Sequence, residues 1–437
     1  MSRRVAISGT GTITALGMDL NDLWSAMTQG RSGIAWITRF DPAGYECRAA
    51  GQLPADMINI RKLVPKSYRK ATKVMCPDIE LAVAAADAAI RSAGLTTHGT
   101  DPDVEPTIAA DRFGCQIGAG LIAVDVEELA PAITASSDGE GSVDLATWGP
   151  VGIEKVTPLW MLKYLPNMLA CHVTIVHNLQ GPSNAITGCE SSSGLSLGES
   201  LRIIRRGDAD ACLSGGAETR LNLLSLCRQD SVGRLAATEG VEDPTTILKP
   251  FDPAATGTLI GEAGGILVTE AIDSIEARGG TPLAELLGFA CTQSCDVGPL
   301  AASSDSISDA ISAALDRADT SPDDIDLIIG QGLSIPAIDD EEAAAYIDVF
   351  GAREDQPPLV SITPFTGNCG AAHGAIQLAV ATRCLQENMI PARLNAATTG
   401  AVNGEAASAT SASVSSVLVV SVGQGGQNTA TILGEIS

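Results

Sequence analysis

Residues 181–194 read GPSNAITGCESSSG, and the rest of the chain is arranged about them. The stretch predicts a short strand at 184–187, a tight turn, and a helix from about 192 to 206. Leu195, Leu197, Leu201 and Ile204 fall on the inward side of that helix. A strand–turn–helix aims side chains at a helix N-terminus, where free N–H groups and the dipole favour negative charge. A cysteine placed there loses its proton readily and becomes a nucleophile. This turn carries both Cys189 and Glu190, and which of them holds the key position decides the chemistry.

The 437 residues suffice for a large core in two domains or two fused halves. Mean hydropathy is +0.19 although aromatic residues make up only 3%. The core must therefore be built from closely packed Ala, Val, Ile and Leu, with glycine at turns and close approaches. A net charge of −25 argues against nucleic-acid binding, which needs clustered Lys and Arg. The eleven cysteines are scattered and contain no Cys-x-x-Cys pair; Cys291 and Cys295 are the nearest two. The opening MSRRVAISGTGTI lacks a sustained apolar segment. Free thiols in a reducing cytoplasm are the expectation. No apolar run is long enough to cross a membrane. Cys171, His172 and His177 lack the spacing and companions of a zinc site, so no metal is expected.

Residues 4–8 read as a buried strand and 9–17 (GTGTITALG) as a glycine-rich loop. That loop lacks both the GxGxxG order and the Lys-Ser/Thr of a phosphate loop. Residues 61–73 (RKLVPKSYRKATK) carry Arg61, Lys62, Lys66, Arg69, Lys70 and Lys73, the most basic segment of an acidic chain. They read either as a solvated helix start or as a docking patch for an acidic partner. A long helix is expected from 67 to about 93, and another across 158–178. Further strands are expected at 113–119, 209–216, 266–269, 283–290, 327–329 and 416–422, a helix at 304–318, and a surface loop over 395–415. Alternating strands and helices, mostly apolar on both faces, indicate an α/β protein with covered sheets. No internal repeat is visible.

Several segments together resemble the β-ketoacyl-acyl-carrier-protein synthases, especially the ketosynthase II type. They are the opening 4–17 with GRSGI and RFD, Gly181-Pro182-Ser183, RIIRRGDADACLSGGAE (202–218), KPFD (249–252), Gly261-Glu262-Ala263-Gly264-Gly265, and GQGGQN (423–428). The resemblance implies a thiolase-like fold, two similar α/β halves in a five-layer αβαβα sandwich, with halves at 1–250 and 251–437. It implies dimerisation and decarboxylative condensation of acyl groups carried on the phosphopantetheine of acyl carrier protein, with no separate cofactor. In such enzymes a cysteine takes the acyl chain, and two histidines support decarboxylation and stabilise the enolate.

Residue by residue, the resemblance carries the nucleophile onto Glu190, counted forward from Gly181-Pro182-Ser183 or back from 202–210. The two histidine positions hold Gln331 and Asn368, the lysine position Thr363 and the gating phenylalanine position Gln424, while Glu262 matches the acidic residue. A glutamate cannot form the thioester. A carboxylate ~4 Å from a nascent enolate costs on the order of 4 kcal/mol at an effective dielectric of ~20, roughly a thousandfold in rate. The resemblance thus points to the chain-length factors, condensation-inactive homologues that pair with an active ketosynthase in type II fatty-acid or polyketide-type biosynthesis and shape its acyl tunnel. Residues 118–135 are the candidate tunnel lining. Two other readings stay open: a malonyl-carrier-protein decarboxylase or thioester-processing enzyme that uses Glu190, with Cys189 as a variant nucleophile, and a homodimeric carrier-binding scaffold. Arg205 and Arg206 join the 61–73 segment as candidate carrier-docking cations. Glu190 also reads as a cap on its own helix or as a hydrogen-bonded plug.

Overall fold

The computed structural model describes residues 3–295, 298–395 and 400–436. The first half comprises β1 (Val5–Ile13), α1 (Pro77–Ser92), β2 (Phe113–Ala119), α2 (Val126–Ala135), β3 (Ser183–Ile186), α3 (Ser192–Arg206), β4 (Ala211–Thr219), α4 (Leu223–Ser231) and β5 (Glu262–Ala271). The second comprises β6 (Ala284–Gln293), α5 (Ser304–Ala318), β7 (Leu327–Gly330), α6 (Pro336–Phe350), β8 (Leu359–Ser361), α7 (His373–Glu387), β9 (Ser416–Val422) and β10 (Gln427–Gly434).

The strands follow one hydrogen-bonded order, β8-β7-β9-β10-β6-β1-β5-β4-β2-β3. Each half uses its own first to fifth strands in the order third, second, fourth, fifth, first. The pairings also repeat: two parallel pairs at the outer edge, then antiparallel pairs towards the centre. Only Ala6–Glu285 and Ile7–Ala284 join β1 to β6. The repeat absent from the residues is therefore present in the topology. The halves meet between Ala271 and Ala284; a division at 250/251 would part β5 from β1 and β4, with which it pairs.

The equivalent helices α3 and α7 lie between the two sheets and touch strands of both halves, which gives the thiolase-like sandwich. This explains why α3 is buried nearly all round. Leu197, Leu201, Ile203 and Ile204 are buried, Leu195 is half-buried, and small serines fill the remaining faces. α1 covers the first sheet and α5 the second.

Some expectations change. The stretch 9–13 is not a loop but the second half of β1, fully buried. Its glycines serve close packing: a Cβ on Gly11 would lie 2.0 Å from the Ala85 carbonyl of α1, and one on Gly9 2.5 Å from that of Ala89. The helix expected from 67 begins at Pro77, because proline presets the first helical position and holds Cys76 extended at φ −88°, ψ 170°. The basic segment before it forms short turns, Ile60–Leu63, Lys66–Tyr68 and Ala71–Val74. The helix expected across 158–178 is confined to Met168–His177, after Pro166. Residues 396–399 of the expected 395–415 loop lie outside the described residues; within the remainder Val402 and Val414 are buried and Thr410–Ser411 pairs with Met389–Ile390.

Gly11→Ala places a methyl group against backbone that cannot yield. It is expected to lower unfolding free energy by about 1–3 kcal/mol, as measured by urea denaturation. A change within the error of the fit would contradict this packing role.

Candidate functional site

The turn between β3 and α3 is built by short-side-chain hydrogen bonds. Ser192 Oγ accepts from the Gly188 N–H at 2.8 Å and donates to the Cys189 carbonyl at 2.7 Å. Ser191 Oγ donates to the Gln427 carbonyl at 2.7 Å, tying the turn to the β9–β10 hairpin. Cys189 occupies the left-handed region at φ 51°. That conformation directs Glu190 inward, where it has no exposed surface.

Four donors from separate segments meet the Glu190 carboxylate. Oε1 accepts from Arg234 Nη2 at 2.7 Å, Asn368 Nδ2 at 2.9 Å and Arg220 Nη1 at 3.3 Å; Oε2 accepts from the Gln424 N–H at 2.9 Å. Arg234 is fully buried and Arg220 nearly so. Arg220 also grips Glu218 through Nε at 2.8 Å and Nη2 at 3.2 Å. The node of two carboxylates and two guanidiniums is thus formally neutral. Burial pushes the Glu190 carboxyl up, but Arg234, then Arg220, and the Asn368 and Gln424 hydrogen bonds together hold it well below the usual carboxylate range.

Glu190 does not cap its own helix: the donors on its carboxylate are the two arginines, Asn368 and Gln424. Nor does it present free charge to an incoming enolate, because the arginines neutralise it. Both oxygens of the carboxylate are hydrogen-bonded instead.

The structure brings Glu190, Asn368 and the Gln424 backbone together and leaves Gln331 and Thr363 as a separate pair. Thr363 Oγ1 donates to the Gln331 carbonyl at 3.0 Å. The Gln331 side-chain amide is fully buried and without a hydrogen-bond partner among the described residues. Its loop is braced by carboxylates of α6: Glu342 accepts from the N–H groups of Gln331 and Gly332, and Asp339 from those of Leu333 and Ser334. His373 is buried, accepts from the Cys369 N–H at 3.4 Å, and is pushed down to about 4, first by burial. Burial, with Glu190 beside it, pushes the Cys189 thiol up to about 11, the reverse of an activated nucleophile. Glu262 lies apart, accepting from Arg39, the Leu53 N–H and Thr219 Oγ1.

A cavity of about 810 Å³ opens in front of this node. Its wall includes Ala119, Leu121, Cys189, Arg220, Arg228 and Gln424. Glu190 stands behind Arg220 and Gln424, which touch both it and the cavity. Of the candidate lining 118–135, only Ala119, Gly120 and Leu121 reach the cavity; Ile122 and Ala123 are core. Among the basic candidates, Arg61, Lys62, Lys66, Lys70 and Lys73 are exposed and Arg69 half-buried, and none forms an ion pair among the described residues. Arg205 and Arg206 sit at the opposite end of α3 from Glu190. Arg205 donates to the Leu286 and Leu287 carbonyls, and Arg206 pairs with Asp208 at 2.9 Å.

Sequence reading missed Arg220, Arg234 and Glu218. The available signal was Glu190 itself: a carboxylate in a stretch of small residues beside a buried helix demands a buried cation.

Comparison with known proteins agrees with this architecture. The profile of the beta-ketoacyl synthase N-terminal domain matches residues 2–273, and that of the C-terminal domain residues 283–397. The chain belongs to the beta-ketoacyl synthase family. It is 28% identical over 399 residues to the 3-oxoacyl-[acyl-carrier-protein] synthase 2 of Staphylococcus aureus strain N315, covering 91% of this chain and 89% of that one. The ishigamide ketosynthase/chain length factor superposes with a TM-score of 0.84 at 25% identity, covering all of both chains. A type II PKS acyl-carrier protein in complex with its ketosynthase superposes with a TM-score of 0.81 at 21% identity, again over the full length of both chains, and shows the shared fold.

Because the folded Glu190 carboxyl lies below the unfolded value of about 4.3, its stabilisation is fully present above that pH. It is lost as pH falls through the folded value. Glu190→Gln leaves the buried Arg234 guanidinium uncompensated, while Glu218 still balances Arg220, and is expected to lose about 3–5 kcal/mol at pH 7. Urea melts at stepped pH should show the gap to wild type closing on acidification. Asp78 has the opposite sign. Burial, then the charge of Glu218, pushes it up to about 8, so its contribution is greatest below about 3.9 and declines as pH rises toward 8. Asp78→Asn should flatten that decline; an unchanged slope between pH 5 and 8 would refute the assignment.

Proposed function

We propose that this chain is a condensation-inactive ketosynthase homologue that pairs with an active ketosynthase and shapes its acyl tunnel in type II fatty-acid or polyketide-type biosynthesis. The observation that carries this reading is the Glu190 node. Where the family's chemistry needs a thiolate open to the acyl chain, this chain places an ionised carboxylate held by four donors and closed off from the cavity by Arg220 and Gln424. Such a group neither forms a thioester nor works well as a general base, since its proton affinity lies far below neutral pH. Cys189 offers no substitute with its raised thiol.

Two further observations support a subunit role. β3 is an edge strand with one side unpaired among the described residues, and Leu121, Leu145, Ile153, Leu159, Met161 and Ile175 all expose more than half their surface in the adjoining 121–175 region. Apolar exposure on this scale marks a partner surface. The structural neighbour that includes a chain length factor matches over its whole length. The exposed cations Arg61, Lys62, Lys66, Lys70 and Lys73, without an ion-pair partner among the described residues, suit an acidic carrier protein, and the workplace of such a subunit is the cytoplasm. Leu121, on the cavity wall, is the tunnel residue nearest to test.

The test is co-expression with ketosynthases from the same source, followed by size-exclusion chromatography and product analysis with malonyl carrier protein. A stable heterodimer is expected, with products shortened by Leu121→Trp. A homodimer that alone releases CO2 from malonyl carrier protein, and stops doing so in Glu190→Ala, would overturn the proposal in favour of a decarboxylase. A homodimer that binds carrier without any reaction would favour the scaffold.

A further inference from the structure

The donors around Glu190 are each fixed by contacts that do not involve it. Arg220 is held by Glu218. Arg234 Nη1 donates to the Pro299 carbonyl at 3.1 Å. Asn368 Oδ1 accepts from the Gly370 N–H at 3.0 Å, which turns its Nδ2 towards the node. The Gln424 N–H is set by the β9–β10 turn, where the Gly423 N–H donates to the Gln427 carbonyl at 2.7 Å and the Gly426 N–H to Gly423 at 3.0 Å. The arrangement is therefore preorganised, and trimming Glu190 does not remove what orients it.

We propose that Arg220, Arg234, the Asn368 amide and the Gln424 N–H form a carboxylate-binding site, which the chain fills with its own Glu190 and which takes the carboxylate end of an external ligand when that side chain is removed. The donor geometry fits a planar two-oxygen anion: three donors converge on one oxygen and the fourth lies on the other. The charge fits as well. Without Glu190, Glu218 still balances Arg220, and Arg234 is left as a single unbalanced buried cation. Arg220 and Gln424 line the cavity as well as the node, so a ligand entering from the cavity has these two residues to pass. Guanidiniums that hold a carboxylate stabilise its ground state, so the site retains the group rather than favouring loss of CO2. The site belongs to the chain alone and does not depend on pairing with a ketosynthase.

The test compares thermal melts of Glu190→Ala in roughly 50 mM sodium acetate, formate and chloride at equal ionic strength. Acetate or formate is expected to raise the melting temperature of Glu190→Ala by at least about 3 °C over chloride, with no such gain in wild type or in Glu190→Ala/Arg234→Met. Should Glu190→Ala be insoluble, refolding from urea in acetate against chloride gives the same readout, with a several-fold greater folded yield in acetate expected. Equal responses to chloride and acetate, an equal gain in wild type, or a gain that survives Arg234→Met would each overturn the proposal. So would a variant that refolds equally poorly in both salts.

Discussion

A carboxylate with no exposed surface survives here as an anion because two guanidiniums reach it. Desolvating an isolated ion costs several kcal/mol even after relaxation, and only close, well-oriented counter-charge offsets it. Arg234 has the same problem in reverse: it is fully buried, and its anionic partner is Glu190. Each charge requires the other. The turn after β3, the segment after β4, the start of α7 and the β9–β10 hairpin are consequently tied at one point. Those segments come from both halves of the chain, so the hydrogen bonds that Asn368 and Gln424 give to Glu190 also fasten the halves together.

The repeated topology explains why this point lies where it does. α3 and α7 are equivalent helices between two sheets of the same strand order, and their N-terminal approaches face each other. Glu190 precedes one helix and Asn368 the other, and the two side chains meet at 2.9 Å. Close approach of these elements demands small residues. A Cβ on Gly216 would lie 2.3 Å from the Ala371 carbonyl, and one on Gly118 2.8 Å from Ser192. Ser193 Oγ donates to the Ala371 carbonyl across the same gap. The glycine-rich, aromatic-poor composition is thus the composition of a sandwich whose central layer is tightly confined.

The node also changes the argument about chemistry. As a bare charge, Glu190 would oppose an enolate through Coulomb repulsion. Paired with Arg220 and Arg234, it contributes little net field. What distinguishes this arrangement is instead steric and covalent: position 190 carries a carboxylate in place of a thiol, and its neighbours Arg220 and Gln424 stand between it and the cavity. The buried acidic residues at Asp78, Asp339 and Glu342 serve a different end. Asp78 accepts from the Thr219 N–H, and Asp339 and Glu342 hold the backbone that carries Gln331.

Much of this was legible in the residues. The helix at Ser192–Arg206, the α/β alternation and the family resemblance all follow from local pattern and motif order, which depend on residues near one another in the chain. Local pattern misled where distant packing decides. The glycines of β1 looked like a loop because nothing local reveals the helix lying on them, and the helix after the basic segment starts late because Pro77 sets its first turn. Neither arginine of the node could be assigned from spacing, since 30 and 44 residues separate them from Glu190. Residue identity thus determined that position 190 carries a carboxylate. Only the tertiary structure decided that its carboxylate is ionised, neutralised and shut away, because the protonation and reach of a buried acid depend on which charges the fold brings within hydrogen-bonding distance.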